Sequence, residues 1–416
     1  MADRSPDVRN GDLVEKFGQK FVWSSLHKTY SSMQPLREIG DPHCDSVLAE
    51  LDPKPDDDIL QMLLSRADTR DKASKGDELM LDFVDRYSTI PKWVDWDLIR
   101  RGQQVFIRDL PTCGLTLFYL SLVGGFSAPL ITKVLRATGY LTSGQKRVMR
   151  RLADTGHMIC ECLLEDSLHP RGDGWKAVLR VRFLHGMVRR RLSGKTYWRE
   201  DVWGVAINQE DMAATLLAFS YNVLVGTEMV LGRPLSDSDQ HAYMHLWRYI
   251  GWLIGIEEEH NPCVDVAHGK AALESIVMHL LEPDEDSIAV AHHLLRSPAR
   301  GDSGLSFRQQ LCRRFLGDQL ADALHLPYHQ RMEHAVTLFL WCLRAYGWLL
   351  RSPAGSMLER IHRWMLRLAL LRGERMGSNH QLRVEPPAAF SAALLQVCVV
   401  RLAWEGSDVC RGGKLC

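Results

Sequence analysis

Apolar residues recur at helical spacing through most of the 416-residue chain, and helix-start signals precede several of these runs. The start signals are, in chain order, Thr142 with Gln145, Asp173, Asn208 with Asp211, and Ser236 with Asp239. Each places a capping side chain ahead of a run spaced at three and four residues. No stretch keeps a sustained period of two, so the pattern predicts an all-α fold.

The distribution of polar and turn-forming residues predicts a single large helical domain with two extensions. Residues 1–35 are polar with aromatic islands and are expected to form an arm that wraps the body. Residues 36–372 are expected to form the helical domain, without an internal repeat or a clear linker. Residues 373–416 are richer in Gly and Arg and are assigned to a C-terminal extension.

Two apolar stretches raise the question of a membrane. Pro111 to Thr132 carries no charge over 22 residues, but Gly124, Gly125 and Pro129 interrupt it. Glycine and proline break helices, so we interpret the stretch as buried helices with a break. The second stretch, from Ala335 to Leu350, is short and contains Arg344. Peripheral membrane association stays open for this chain.

Composition narrows the function classes. The formal net charge is zero, and nucleic-acid binding needs a surplus of Lys and Arg, so no nucleic-acid partner is expected. The ten cysteines form no CxxC pair and show no zinc or iron–sulfur spacing. Together with an N-terminus that lacks an apolar signal-peptide core, this indicates an intracellular protein, cytoplasmic or associated with the endoplasmic reticulum membrane.

The most informative single residue is His185, in the run Val178 to Leu192. Arg182 lies three residues before it and Arg189 four after, so all three share one side of a helix. The run contains no Asp or Glu to pair with the arginines. Haem would suit this arrangement, with iron on the imidazole and the two propionates on the guanidiniums. The alternative is a core histidine that hydrogen-bonds a backbone carbonyl.

A second candidate set lies on the preceding helix. Arg151 and Thr155 are four residues apart and share a face, with apolar residues below them. An arginine and a hydroxyl that project into an apolar cavity could hydrogen-bond dioxygen or a peroxide. The alternative is a surface salt bridge with a threonine bonded back to its own helix.

A non-haem metal site is a further alternative. Glu257 with His260, and Glu359 with His362, are ExxH pairs of the kind that build di-iron carboxylate sites. Asn261-Pro262 follows the first pair at once, which places His260 at a helix end. The common nucleotide-binding, nucleophile-elbow and zinc-protease motifs do not occur in the sequence.

These motifs together resemble one family, which contains the latex clearing proteins (bacterial rubber oxygenases) and the fungal oxygenase of the mycophenolic acid pathway. The resemblance covers roughly residues 80–350. The segments that carry it are 150–155 (RRLADT), 178–192, 204–220 (GVAINQEDMAATLLAFS) and 243–251 (YMHLWRYIG), with weaker matches at 91–96 and 138–142. The run NQEDM and the His/Arg helix are the specific parts.

The resemblance implies a globin-related helical core with peripheral helices and a b-type haem, with dioxygen as co-substrate. It implies His185 as the proximal iron ligand, and Arg182 and Arg189 as residues near the haem. Arg151 and Thr155 match the distal arginine and threonine, and the 30-residue gap from Thr155 to His185 matches as well.

The sequence departs from the rubber enzymes at Asp154, where they carry a lysine. They also place a glutamate further upstream, and this chain has no Glu between Phe126 and Cys160. We therefore predict an oxygenase that acts on a small hydrophobic biosynthetic intermediate (isoprenoid, terpenoid or polyketide) at a carbon–carbon double bond. Asp154 is expected to relay a proton if burial raises its pKa. The alternative is a haem protein that does not oxygenate, such as an isomerase, a cyclase or a sensor.

Overall fold

Helices carry nearly all the regular structure of the computed structural model, as the periodicity predicts. The structure describes residues 8–54, 57–69, 75–138, 145–296, 301–353 and 355–377. Within these ranges the strands form a single antiparallel hairpin, β1 (Leu13–Lys16) with β2 (Gln19–Val22). The hairpin buries Val14, Phe21 and Trp23 against Met278, far along the chain.

The first third of the chain supplies short helices that precede the candidate site. They are α1 (Tyr30–Met33), a 3-10 turn (Gln34–Glu38), α2 (Pro42–Leu51), α3 (Ile59–Asp68), α4 (Lys75–Ser88), α5 (Trp96–Arg108), α6 (Leu110–Thr116), a π-helical segment (Leu117–Val123) and α7 (Pro129–Ala137). The Asp41 carboxylate accepts from the backbone N–H of Cys44 and so caps α2.

The middle of the chain holds the sequence motifs. Its helices are α8 (Gln145–Cys162), α9 (Asp173–Leu192), α10 (Glu200–Trp203), α11 (Gln209–Phe219), α12 (Tyr221–Leu231) and α13 (Asp237–Leu253). Asn208 accepts from Asp211 N–H and Ser236 from Asp239 N–H, which confirms both predicted caps. Gly172, not Asp173, occupies the N-cap of α9. Thr142 lies outside the described residues.

The last part of the described chain folds around two long helices. It contains 3-10 turns (Glu258–His260 and Pro262–Val264), α14 (Val266–His279), α15 (Glu285–Arg296), α16 (Gly301–Leu316), α17 (Asp318–Ala323), α18 (Gln330–Leu350) and α19 (Gly355–Gly377). The stretch predicted to be buried helices with a break, Pro111 to Thr132, spans α6, the π-helical segment and α7. A turn over residues 126–128 interrupts it just after the two glycines.

Two apolar cores hold the described helices together. The first lies among α5, α9 and α13, and the second lies among the π-helical segment, α15, α16 and α18. Helices α5 and α13 cross so closely that a Cβ on Gly102 would lie 2.6 Å from the carbonyl oxygen of Ala242. A glycine at this crossing permits a helix separation that a larger residue would prevent.

By length and composition, the described residues include one stretch able to cross a membrane, Gln209–Leu231, and half of its most apolar window is buried inside the fold. Trp96–Arg108 and Leu110–Val123 are long and apolar enough to cross a membrane only when they are taken together, and the two segments are bent by 84° relative to each other. Buried core helices of soluble proteins have the same composition, so these segments are weak indications of a span.

Candidate active site

Helix α9 buries two of its arginines. Arg182 is 1% exposed and Arg189 is 4% exposed, on the same side as Trp175 and Val178. Val181, Leu184, His185 and Val188 are each at least partly exposed. At about 100° per residue, His185 lies within about 60° of both arginines, at the edge of the buried side, whereas Leu184 lies opposite it. Leu184 is 45% exposed. A guanidinium buried among apolar side chains is stable only when other groups neutralise it and accept its hydrogen bonds.

Arg182 is held by a carboxylate from a distant helix. Its Nε and Nη2 donate to the two carboxylate oxygens of Asp41 over 2.7 and 2.8 Å. Further bonds run to the hydroxyl of Tyr87 over 2.7 Å and to the carbonyl of Leu253 over 3.2 Å. The guanidinium also lies over the Tyr87 ring, 4.0 Å from its centroid. Burial alone would raise the pKa of Asp41, but the neighbouring Arg182 lowers it below its ordinary value.

Arg189 has a similar partner one turn along α2. Its Nε and Nη2 donate to Asp45 over 2.8–3.0 Å, and its Nη1 donates to the carbonyl of Ile207 over 3.2 Å. The run Val178–Leu192 itself contains no acidic residue, but Asp41 and Asp45 of the α2 region supply a partner for each arginine. The structure therefore gives no support to Arg182 or Arg189 as propionate ligands.

The close approach of α2 to α9 makes this pairing possible. Gly186 lies between the two arginines, on the same buried side of α9. A Cβ there would lie 2.4 Å from Leu48 Cδ1 and 2.8 Å from Cys44 Sγ, so only glycine admits α2 at this distance. With α2 seated there, its first turn delivers the carboxylates beside the guanidiniums.

Helices α8 and α9 form a hairpin that brings the other candidate residues to the level of His185. The two helices meet near their connection, where Cys162 Sγ lies 4.0 Å from the carbonyl oxygen of Gly174. Arg151 lies 11 residues before Cys162, and His185 lies 11 residues after Gly174. With a rise of about 1.5 Å per residue in both antiparallel helices, Arg151 is level with His185.

The side chains of the second candidate set face outward where they are described. Asp154 and Thr155 are both exposed, and they share one face of α8 with position 151 by their spacing of three and four. The side chain of Arg151 lies outside the described set. Burial was the condition for a raised pKa at Asp154, and the exposed position does not meet it.

The alternative di-iron site is not assembled. His362 is buried, and both of its ring nitrogens are engaged, Nδ1 with the carbonyl of Ile107 and Nε2 with the hydroxyl of Tyr346, each over 2.8 Å. A metal ligand needs a free lone pair on one of these nitrogens. His260 lies in a 3-10 turn after α13, beside Glu257 and Glu259.

The NQEDM run, residues 208–212 at the start of α11, forms a buried polar cluster. The sequence identifies this run as a motif but does not indicate which residues it contacts. Gln209 bridges two loops by donating to the carbonyls of Gly40 and Gly255 over 2.9 Å. Glu210 accepts from Arg37 Nε over 2.6 Å, and Asp211 lies next to Glu210 in the first turn. Burial, with the charge of Glu210 as a smaller cause, raises the pKa of Asp211 to about 7.

Comparison with known proteins shows which family this chain belongs to. Residues 113–352 match the catalytic domain of the family described as ER-bound oxygenase mpaB/B′/rubber oxygenase. That match spans more than half of the chain and includes α8, α9 and α11. The chain belongs to this family. It is therefore an oxygenase, and the alternative of a non-oxygenating isomerase, cyclase or sensor is set aside.

Two individual proteins show how far the likeness extends. The rubber oxygenase of Streptomyces sp. (strain K30) is 24% identical over 308 residues, which cover 72% of this chain and 73% of that protein. The solved structure of latex clearing protein LCP in the closed state superposes with a TM-score of 0.61 at 20% identity, covering 81% of this chain and 91% of that one. The structural match confirms the predicted all-α fold of the mpaB/rubber oxygenase family.

Proposed function

We propose that this family member is a haem b-dependent oxygenase that acts on a small hydrophobic isoprenoid, terpenoid or polyketide intermediate at a carbon–carbon double bond. The observation that carries the proposal is the half-exposed face of α9, where His185 lies among Val181, Leu184 and Val188. The Streptomyces relative is a rubber oxygenase, and rubber is a hydrophobic isoprenoid, which supports this substrate class here.

The residues present on this face fit a porphyrin. Imidazole is a common axial ligand of haem iron, and His185 is the histidine of the α9 face. The neighbouring aliphatic side chains would lose their solvent exposure under a flat apolar ring, which is worth about 25 cal/mol per Å² of buried surface. Arg182 and Arg189 are buried and hold Asp41 and Asp45, so the propionates would need other partners.

Helix α8 supplies the polar groups of the proposed reaction. When bound, haem would supply the redox-active iron that activates dioxygen. Thr155 is exposed on α8 and carries a hydroxyl that can donate a hydrogen bond, and position 151 lies level with His185 along the hairpin. Asp154, on the same exposed face, is the candidate acid or base, and its solvent contact allows proton exchange with water.

An absorption spectrum tests the cofactor. Full-length protein expressed with a haem precursor should show a Soret band, and His185→Ala should lose most of that band at equal protein concentration because the axial ligand is gone. His169→Ala is the matched control, since His169 is also half-buried but stacks on Trp96, and it should keep the band. A colourless wild-type protein after haem supplementation would overturn the proposal, as would product formed under strict anaerobiosis.

Turnover tests Thr155 separately from haem binding. Thr155→Ala should lower kcat by roughly 10- to 100-fold, the equivalent of about 1.5–3 kcal/mol for one hydrogen bond to a charged or developing oxyanion. The side chain is exposed, so the fold and the Soret band should not change. Thr155→Ser restores the hydroxyl and should recover most of the activity. Equal kcat values for the alanine and wild-type proteins in oxygen-consumption assays would remove Thr155 from the mechanism.

A further inference from the structure

Helix α18 presents an outward side without charge. Its exposed residues between Ala335 and Leu349 recur at spacings of three and four, and they are Ala335, Leu338, Trp341, Cys342, Ala345, Trp348 and Leu349. Leu338 is 66% exposed, Trp341 57% and Trp348 55%. Large apolar side chains at such exposure are normally single on a soluble protein, and a contiguous row marks an interaction surface.

Helix α19, which follows α18 after a short turn, also carries exposed apolar residues. Met357 is 66% exposed, Ile361 41% and Trp364 61%. We call the exposed apolar residues of the two helices the tryptophan face; they are Leu338, Trp341, Cys342, Trp348, Leu349, Met357, Ile361 and Trp364.

Both helices also have a second apolar side, and that side is buried in the fold. The exposed apolar residues are therefore additional to the ones that hold the helices in place. Val336, Phe339 and Leu343 of α18 lie in one apolar core, and Leu366 and Leu370 of α19 lie in the other. Helix α18 is therefore apolar on two sides, and the described part of the chain covers only one of them. A helix that is apolar on most of its surface is normally buried on all sides, in a protein or in lipid.

The charges around this face are mostly positive, and Glu359 on α19 is a partly exposed exception. Between Gln330 and Leu370 the sequence has six arginines, no lysine and two glutamates, in a chain whose formal net charge is zero. Arg331, Arg360 and Arg367 are exposed, whereas Glu333 is half-buried and bonded to Gln310 and Arg314. Arg344 lies over the Trp341 ring, 5.1 Å from its centroid. The partner that complements this rim is anionic.

We propose that the tryptophan face docks the protein on the surface of an anionic lipid bilayer. Tryptophan concentrates at the level of the headgroups, and helices with apolar and arginine-bearing sides lie in that plane. The arginines would contact acidic lipid headgroups. The chain's own residues 378–416 are a poorer occupant, because they carry four basic and three acidic residues and so have no net negative charge to complement the rim. A second copy would bring the same positive rim.

Docking through the tryptophan face would place the candidate active site near the membrane. Helix α19 packs against α8, the helix that carries Thr155. Docking through α18 and α19 would therefore bring α8 close to the bilayer, which dissolves small hydrophobic molecules. The docking proposal itself does not depend on haem or on the reaction.

Vesicle sedimentation of the full-length protein is the first test. We expect binding to phosphatidylcholine vesicles that contain about a third phosphatidylserine, and weaker binding to pure phosphatidylcholine. Trp341→Ser with Trp348→Ser should lower the partition coefficient by roughly tenfold or more, and so should Arg360→Glu with Arg367→Glu. Tyr197→Ser with Tyr328→Ser removes two aromatic residues of similar exposure elsewhere and should bind like wild type. Failure of the folded wild-type protein to sediment with anionic vesicles would overturn the proposal.

A label on Cys342 distinguishes lipid from protein cover. Cys342 is the exposed cysteine of the described residues, and the other six are buried. With Cys398, Cys410 and Cys416 changed to serine, a polarity-sensitive dye should attach at Cys342 and emit as in water. Its emission should shift to the blue when anionic vesicles are added. A dye already blue-shifted in buffer would show that the C-terminal residues or a second copy cover the face, and an emission that vesicles leave unchanged would equally exclude docking.

Discussion

Replacing Arg182 with alanine should destabilise the fold by about 3–5 kcal/mol, a large part of the total stability of an ordinary domain. The change leaves the Asp41 carboxylate, which is 2% exposed, without the guanidinium that now neutralises it. Tyr87 and Leu253 lose a hydrogen-bond donor in the same step. Urea unfolding followed by far-ultraviolet circular dichroism would measure the loss as a lower midpoint.

Arg180→Ala is the matched control for that experiment. Arg180 lies on the same helix and pairs with Asp58 over 3.3 Å, but both side chains are substantially exposed. An exposed pair contributes about 0–1 kcal/mol, so this variant should unfold close to wild type. A similar loss of stability in the two variants would show that burial of the Arg182–Asp41 pair has no special weight.

The same pair predicts how stability responds to acid. The pKa of Asp41 is lower in the folded protein than its ordinary value, because of Arg182. Its contribution is therefore complete above the unfolded-state pKa, and it is lost as the pH falls through the lower folded-state pKa. Arg182→Ala should flatten this acid-side loss, which a series of unfolding curves at decreasing pH would detect.

Much of the local structure follows from the sequence because its causes are local. The capping pairs at Asn208 and Ser236 act over three residues, so the same residues that define the pattern also form the bonds. The helical period of α9 follows in the same way from the spacing of Val181, Leu184 and Val188. These elements need no knowledge of the rest of the chain.

The pairing of the arginines could not be predicted because its cause is distant. Asp41 lies 141 positions from Arg182, and Asp45 lies 144 positions from Arg189. Nothing within the run Val178–Leu192 indicates that α2 will pack there. The one local signal is Gly186, which permits the close approach but does not name the partner helix.

The side of α9 that faces the core was also beyond local reasoning. The spacing of Val181, Leu184 and Val188 indicates an apolar stripe, yet these side chains are partly exposed, and the side that carries the two arginines is buried. The carboxylates of α2 permit that burial, because a paired and hydrogen-bonded guanidinium can be buried. His185 lies at the edge of the buried side, next to the partly exposed Val181 and Val188.

Asp211→Asn should stabilise the protein at pH 8 by up to about 4 kcal/mol, since burial raises the pKa of this carboxyl from 3.8 to about 7 and each pH unit is worth about 1.36 kcal/mol. A raised carboxyl pKa means that the folded state binds the proton more tightly than the unfolded state. Stability is then full below the unfolded-state pKa and declines as the pH rises to about 7. The neutral amide that Asp211→Asn introduces should remove most of that decline.

Thermal or urea unfolding of both proteins would measure this difference. The pH series should run from about 4.5 to 8.5, since burial raises the pKa of Asp211 to about 7. The free energies of unfolding of the two proteins should converge at low pH and separate at high pH. Asp237→Asn is the matched control, because Asp237 also lies in the first turn of a helix but is exposed. It should leave the pH dependence unchanged. Wild-type stability that rises from pH 5 to 8, or an Asp211→Asn protein less stable than wild type at pH 8, would mean that the charged Asp211 carboxylate has a compensating partner inside the NQEDM cluster.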